Sequence, residues 1–317
     1  MKQKLLLTFL IFLGLNKTLS AQNVEYKILH DNPDVKPWLN INLDILQLDM
    51  GISNIEGFSF NLGSFGFFEP VERIGVYYNV KFPWLTFGKM ANKKYPSNFD
   101  LDLGGYFGLL SYQKTKKTQI ILKREYKGST YSRNTENRPT ETVTFIMVPA
   151  LQKVYIGARG GIIFKRGPFN YGDYQDDMFY LGPVDETALS SFGFYAGIYK
   201  RRLRNVFMDV TGYGTRFNSI GDDFYLDALI YASNRFTDIN TNTDVSDFVS
   251  NNAGASPIGF RIGWMRYQIE KKARTGKMFG IAGKFEAGYK PYQGWFVNGG
   301  IAITLVKKYR NAGDETK

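Results

Sequence analysis

The sequence predicts an all-β fold: an antiparallel transmembrane β-barrel of about 12 or 14 strands behind a cleaved N-terminal signal peptide. Three observations lead to this prediction. The first residues have the order of an export signal, later segments alternate apolar and polar residues, and aromatic residues collect near the ends of those segments. No run of about 18 apolar residues follows the leader, so no transmembrane helix is expected.

The export signal occupies residues 1–21. Lys2 and Lys4 precede an apolar run over residues 5–15, and the small residue Ala21 ends the segment. The run has about 11 residues, whereas a helix that spans a bilayer needs about 20. We therefore expect cleavage after Ala21, export through the periplasm and a final location in the cell outer membrane.

Alternation is clearest from residue 39 onward. Apolar residues occupy the odd positions from Leu39 to Ile45 and the even positions from Leu46 to Met50. A strand cannot change faces by one residue without an irregularity, so a β-bulge or a tight bend is expected between Ile45 and Leu46. Further alternating segments cover 76–82, 99–109, 154–165, 279–287 and 295–305.

The number of strands follows from the alternating segments and the connections between them. About 13 segments can be counted, and single-chain bacterial barrels close with an even number, hence 12 or 14. The polar stretch 237–255, which is expected to be a mobile outer loop, is where the count is weakest. Long outer loops are predicted at 84–98, 128–140 and 166–190, and short periplasmic turns at 113–117, 149–152 and 201–205.

The chain divides into four predicted regions. These are the signal peptide (1–21), a periplasmic lead-in (22–36), the outer-membrane β-barrel (37–309) and a polar C-terminal tail (310–317). No change in composition within 37–309 indicates a second domain.

Charged residues on the polar phase of the strands are candidates for the barrel lumen. They are Asp44, Asp100, Asp102, Arg159, Asp209, Asp227, Arg261, Lys284 and Glu286. Opposed acidic and basic walls would select solutes by charge in a channel. The same residues, paired with one another, would plug the interior instead, and a barrel of this predicted size fits either case.

The residue types of the chain restrict the reactions and metal sites that it can support. The chain has no cysteine and one histidine, His30, which lies in the lead-in, so neither a His-dependent hydrolase nor a zinc site is expected. We expect no cofactor and no enzyme activity, although Asp100 and Asp102 share a strand face and leave a histidine-free enzyme acting on lipid or glycan as a weaker alternative. The formal charge of +11 does not indicate nucleic-acid binding, because the chain is predicted to be exported.

The leader, the Ala21–Gln22 junction and the aromatic–glycine alternation resemble the outer-membrane barrels common in Bacteroidota. The resemblance implies a barrel architecture and carries over no site residue. Many outer-membrane barrels end on an aromatic residue, whereas Tyr309 is followed here by the polar tail 310–317, so either the insertion signal lies within 301–309 or insertion depends on another feature.

Two functions remain open from the sequence. One is a narrow channel for small polar solutes, and the other is a non-conducting structural or accessory subunit of an outer-membrane complex. Expected partners are outer-membrane lipid and lipopolysaccharide, the barrel-assembly machinery during insertion, and other envelope proteins.

Overall fold

The protein is described by a computed structural model. The structure describes residues 18–21, 24–33, 39–51, 57–71, 73–88, 99–127, 131–132, 135–136, 140–169, 187–238, 241–247, 256–271, 278–292 and 294–306. Among these residues, no helix is long and apolar enough to cross a membrane.

The described chain consists largely of β-strands. In chain order they are β1 (Thr18–Ala21), β2 (Tyr26–His30), β3 (Leu39–Gly51), β4 (Gly57–Val71), β5 (Ile74–Gly88), β6 (Phe99–Lys127), β7 (Tyr131–Ser132), β8 (Thr135–Glu136), β9 (Thr140–Phe169), β10 (Thr187–Val210), β11 (Gly214–Asp238), β12 (Ile258–Lys271), β13 (Met278–Lys290) and β14 (Gly294–Val306).

Ten of these strands form a closed antiparallel ring, in the order β3, β4, β5, β6, β9, β10, β11, β12, β13 and β14. The ring closes where β14 pairs with β3. β2 lies outside the ring and pairs antiparallel with the end of β10, and β1 pairs parallel with β9. The predicted count of about 12 or 14 strands is therefore wrong, although the fold is an all-β antiparallel barrel.

The error arises because three long strands were divided. The stretches 113–117, 149–152 and 201–205 were interpreted as turns, yet they lie inside β6, β9 and β10. Backbone pairing continues through them, with Gln113 opposite Lys153 and Lys153 opposite Leu203. β5 pairs with β6 only as far as Phe107, so 113–117 and the residues of β9 opposite it lie beyond β5, whereas Arg201 of β10 still lines the lumen.

Strand directions decide at which end of the barrel each connection lies. We call the end where β3 begins the N-terminal end; the connections after β4, β6, β10 and β12 share it. The connections after β5 and β9 lie at the opposite end. Residues 128–140, which follow β6, are thus on the other side from 84–98 and 166–190, and the prediction that all three are outer loops is wrong.

The predicted bulge in β3 is confirmed. Ile301 of β14 pairs with Leu46 and Ala302 pairs with Asp44, so Ile45 is skipped in the register. The register with β4 shifts at the same place. As a result Leu43 and Leu46 are both exposed on the outer face, although they lie an odd number of residues apart.

The barrel wall has the opposite polarity to that of a soluble protein. Large apolar side chains are exposed on its outer face, and charged side chains are buried on its inner face. Transmembrane barrels show this arrangement because lipid surrounds them. The exposed apolar belt includes Leu62, Leu103, Phe194, Ile198, Leu226, Ile230, Ile262, Ile281, Phe285 and Ile301.

β6 and β9 continue past the barrel as a two-stranded arm, formed by residues 111–127 and 140–152. One face of the arm packs on the outer face of β10 beyond the ring, and β2 takes the place beside β10 that β9 leaves. Arg204 donates a hydrogen bond to the Thr118 hydroxyl at 3.1 Å, which ties the two layers together. The core between them contains Ile120, Leu122, Ile146, Val148, Ala150, Val206, Met208 and Val210.

The lead-in contacts the same end of the barrel. β2 belongs to it, and the Asn205 side-chain amide donates to the carbonyl oxygens of Asn32 and Pro33, each at 3.3 Å. β1 falls within the predicted leader. Cleavage after Ala21 and the four regional boundaries stay predictions.

Candidate functional site in the barrel lumen

The lumen contains a network of eight charged side chains, four cations and four carboxylates, which we call the central network. Its members come from seven strands and all lie on the inner face. They are Asp44, Lys81, Asp102, Arg159, Asp227, Arg261, Lys284 and Glu286.

Arg261 is the centre of this network. Its guanidinium lies 2.5 Å from an Asp102 oxygen, 2.7 Å from Asp227 and 3.8 Å from Glu286. Asp102 is on β6, on the far side of the ring from β12, so this pair crosses the lumen. A side chain held from three directions in this way fixes the distance between opposite walls.

Lysines make two more links across the interior. Lys81 of β5 lies 3.3 Å from Glu286 of β13. Lys284 lies 2.9 Å from Asp44 and also donates to the Asn79 side-chain oxygen at 3.2 Å. Because each ammonium has a carboxylate partner, the charges in the network balance and the cost of burying them falls.

Aromatic rings hold Arg159 in the middle of the lumen. Its guanidinium lies 3.9, 5.1 and 5.2 Å from the ring centroids of Tyr225, Tyr77 and Tyr195. It also pairs with Asp227 at 3.2 Å. Desolvated cation–π contacts of this kind are worth about 2 kcal/mol.

A second group lies nearer the N-terminal end and centres on Arg201. This arginine donates two hydrogen bonds to Asp223, at 2.6 and 2.7 Å, and pairs with Glu69 on the far wall. Tyr106 accepts a hydrogen bond from Arg201 at 2.7 Å and donates one to Glu69. The bidentate geometry makes this the most directional ion pair in the lumen.

Tyrosines fill the space between the charged groups, and glycines make room for them. A Cβ atom at Gly263 would lie 2.1 Å from Cζ of Tyr225, and one at Gly75 would lie 2.2 Å from the Tyr106 hydroxyl. Each ring therefore rests against the backbone of the neighbouring strand. Among the described residues, the buried lumen tyrosines are Tyr77, Tyr106, Tyr155, Tyr195, Tyr199, Tyr225, Tyr231 and Tyr267.

Little free volume remains between these side chains. One cavity of about 10 Å³ is lined by Tyr77, Arg159 and Arg201, and another of about 30 Å³ is lined by Asp102, Arg261 and Glu286. Each has room for about one or two water molecules. Within the described residues, these cavities are far too small for a sugar or an amino acid.

The sequence candidates fall into three groups. Seven of them, Asp44, Asp102, Arg159, Asp227, Arg261, Lys284 and Glu286, make up most of the central network. Asp100 is partly exposed, 3.9 Å from Lys165. Asp209 differs from expectation: it is exposed and opposite Lys27 of β2, because β10 has left the ring by that point and its inner face no longer lines a lumen.

The sequence candidates leave out several charged residues that lie in the lumen, among them Lys81, Glu69, Arg201 and Asp223. Glu69 lies near the end of β4, outside the alternating segments named above. Arg201 lies in 201–205, which the sequence predicts to be a turn. Continuing the Tyr195–Tyr199 alternation by two residues would have brought Arg201 to the inner face.

The remaining candidates for chemistry have structural partners. His30 lies in β2, where its Nδ1 accepts a hydrogen bond from the backbone N–H of Asn32 at 3.1 Å. Asp102, one of the two carboxylates considered for catalysis, is bound to Arg261. Within the described residues, no group of three or more acidic or histidine side chains is arranged to hold a metal ion.

Comparisons with known proteins give no matching family and a weak structural similarity. No family model matches the chain, and no curated protein matches it. Among solved structures, the chain is similar to in-vitro folded OmpT, an outer membrane protein of Vibrio cholerae, with 10% identity, a TM-score of 0.18, and coverage of 89% of this chain and 100% of that one. At that TM-score the resemblance to an outer-membrane barrel is weak, and it carries nothing about function.

Proposed function

We propose that this chain is a non-conducting outer-membrane β-barrel that serves as a structural or accessory subunit. The barrel would anchor the arm and β2 at the periplasmic face of the membrane. The observation that carries the proposal is the filled lumen, in which the central network, the Arg201 group and the tyrosines occupy the interior.

The size of the barrel supports a closed interior. Barrels of about eight strands are filled by side chains, whereas those of about 16 leave an aqueous channel. Ten strands lie near the filled end of that range. The ion pairs also join opposite walls, whereas a charge-selective channel would keep acidic and basic walls apart.

The outer surface supports placement in a membrane. Ile198 is 63% exposed and Ile262 is 55% exposed, on strands whose inner faces are charged. Burying such a belt in lipid recovers about 25 cal/mol for each Å² of apolar surface removed from water. A cell outer membrane is the expected location because the sequence predicts export and membrane β-barrels form there.

The competing proposal, a narrow channel, is tested by conductance. Purified protein is reconstituted into planar lipid bilayers, and folding is verified by the difference in electrophoretic mobility between unheated and heated samples. We expect no steady current from the wild type. A reproducible ohmic current from folded wild-type protein would overturn the closed-lumen proposal and leave the channel.

The accessory role is tested through the arm. Residues 123–142 are replaced by Asn-Gly, and in a matched control residues 241–247 at the opposite end are replaced in the same way. Envelope proteins that co-purify with the wild type should be lost only from the arm variant. An identical set with both variants would mean that the arm recruits no partner.

Other details remain proposals. Lipopolysaccharide and the barrel-assembly machinery are proposed partners, and an origin among Bacteroidota envelope proteins rests on the sequence resemblance alone. A histidine-free enzyme is the weakest proposal, since it would need Asp100 and Asp102; unchanged turnover of a lipid or glycan after D100N/D102N would remove it.

A further inference from the structure

A group of charged and aromatic residues on the outer face of the barrel points to a lipid site. It lies on β10, β11 and β12, immediately beyond the apolar belt on the N-terminal side. The pairing of the three strands aligns these residues in rows, so their positions relative to one another follow directly from the register.

The first two rows mark the edge of the belt. Ile198, Leu226 and Ile262 lie side by side, and all are about half exposed or more. The next row is Lys200, Phe224 and Trp264, in which the two aromatic rings are 6.2 Å apart. Apolar residues followed by aromatics and a lysine are typical of the boundary between lipid tails and headgroups.

The third row contains a single carboxylate between two arginines. Arg202 pairs in register with Asp222, and Asp222 pairs with Arg266. The Arg266 guanidinium is 3.7 Å from Asp222 and its side chain is 42% exposed, whereas the Arg202 guanidinium lies 5.0 Å above the Phe224 ring.

Arg204, in the fourth row, completes the cluster. It lies 4.0 Å from Asp222 and is fixed by the hydrogen bond to Thr118 of the arm, so the arm forms the lower wall. Burial lowers the pKa of Arg204, Asp222 raises it, and the like charges of Arg266 and Arg202 lower it further. The cluster, with Lys200 included, thus has four cations and one carboxylate, an excess of three positive charges.

One hydrogen-bond donor at this place also lacks a protein partner. The indole Nε1 of Trp264 is buried and makes no hydrogen bond within the described residues. Buried donors are usually paired, and this N–H would reach a headgroup oxygen once the indole ring or its neighbours shift on lipid binding.

From this arrangement we propose that Lys200, Arg202, Arg204 and Arg266 bind the headgroup phosphate of an anionic glycerophospholipid, with Trp264 beside it. The acyl chains would lie along Ile198, Leu226 and Ile262. Guanidinium groups suit phosphate because their paired N–H donors match its oxygens, and the excess positive charge requires an anion. The inference rests on the proposed membrane placement, and it names the leaflet on the N-terminal side as the source of the lipid.

The test measures lipid affinity by native mass spectrometry. Folded protein in detergent is titrated with phosphatidylglycerol and, separately, with phosphatidylcholine. In R202Q/R266Q, phosphatidylglycerol should bind about 30-fold more weakly, since each basic side chain near an anionic headgroup contributes about a factor of five. The matched control K114Q/K116Q removes two exposed cations from the arm and should bind as the wild type does.

Two further measurements distinguish loss of the lipid site from misfolding and from the binding of free phosphate. D222N removes the only carboxylate of the cluster and should tighten phosphatidylglycerol binding, a gain that misfolding would not produce. Inorganic phosphate at 100-fold excess over the lipid should leave the bound lipid in place; complete displacement would assign the site to free phosphate and overturn the lipid proposal.

Equal affinity of the wild type and R202Q/R266Q, or an equal loss in K114Q/K116Q, would also overturn the site. Neither result bears on the proposal that the lumen is closed, which is tested by the conductance measurement. Conversely, a conducting barrel that still prefers phosphatidylglycerol through Arg202 and Arg266 would retain this site and lose the proposed function.

Discussion

The barrel wall and the arm are built from the same strands, but they bury opposite faces. Along β10, Tyr199 and Arg201 are buried inside the lumen while Ile198 is exposed to the outside. A few residues later Val206 and Met208, on that same outer face, are completely buried against the arm. The outer face of one strand thus carries an exposed apolar residue at Ile198 and buried apolar residues at Val206 and Met208, with the charged residues Lys200, Arg202 and Arg204 between them.

This comparison shows that the alternation of apolar and polar residues identifies the two faces of a strand but does not identify what covers each face. An apolar face can be covered by lipid or by a second layer of strands. The two cases differ in their surroundings, so they should respond differently to the same substitution.

The largest effect is expected in the arm core. Val148→Asp places a carboxylate where the side chain is 0% exposed, and burial of an unpaired charge costs about 4 kcal/mol or more. The arm should become sensitive to protease while the barrel keeps its heat-modifiable mobility. Loss of both together would show that the arm core and the barrel fold as one unit.

The lumen should respond nearly as strongly to loss of its central cation. Arg261→Met leaves Asp102, Asp227 and Glu286 without their shared partner and should cost about 3–5 kcal/mol in urea unfolding from vesicles. Adding Asp227→Asn should recover part of that loss. Arg235→Met, which breaks an exposed pair with Asp244, serves as the control and should unfold as the wild type does.

The lipid-facing belt should show a cost that depends on its environment. Ile230→Lys should destabilise the barrel by about 2–4 kcal/mol in vesicles, because it puts a charge inside the belt, two outward-facing rows from the edge at Leu226. In detergent micelles the cost should be much smaller. Ile120→Lys in the arm core should be equally harmful in both media, and an equal cost for Ile230→Lys in both would argue that protein covers this face.

A smaller effect is expected where a tyrosine rests on a glycine. Gly263→Ala forces the Tyr225 ring away from the wall and should cost about 1–3 kcal/mol. Combining it with Tyr225→Leu should cost less than the sum of the two changes. Strict additivity in this double-mutant cycle would contradict the contact.

The sequence was sufficient for the part of the fold that depends on local pattern. The one-residue change of phase at Ile45 predicted the bulge, and alternation predicted strands with one apolar face. These features follow from side-chain geometry within a single strand.

The strand count and the loop positions depended on long-range pairing, which the pattern does not contain. Arg201 to Asn205 are polar on both faces, so they read as a turn, yet Lys153 and Tyr155 pair with them from β9. The inner faces raise the same difficulty. Tyrosine is frequent in interfacial girdles as well as in a lumen, and for Tyr225 the glycine opposite it, Gly263, marks the inner face.

The central claim is that lipid covers the outer face of the barrel, side chains fill the inner face, and the arm covers the outer face beyond the belt. Because the chain has no native cysteine, single cysteines can be spin-labelled at Ala228 on the outer face, Asn298 on the inner face and Val206 under the arm. In vesicles, oxygen should broaden the signal of the label at residue 228, a water-soluble nickel chelate should not, and neither reagent should reach residues 298 or 206. Access of the nickel chelate to residue 298 would show a water-filled lumen and contradict this account.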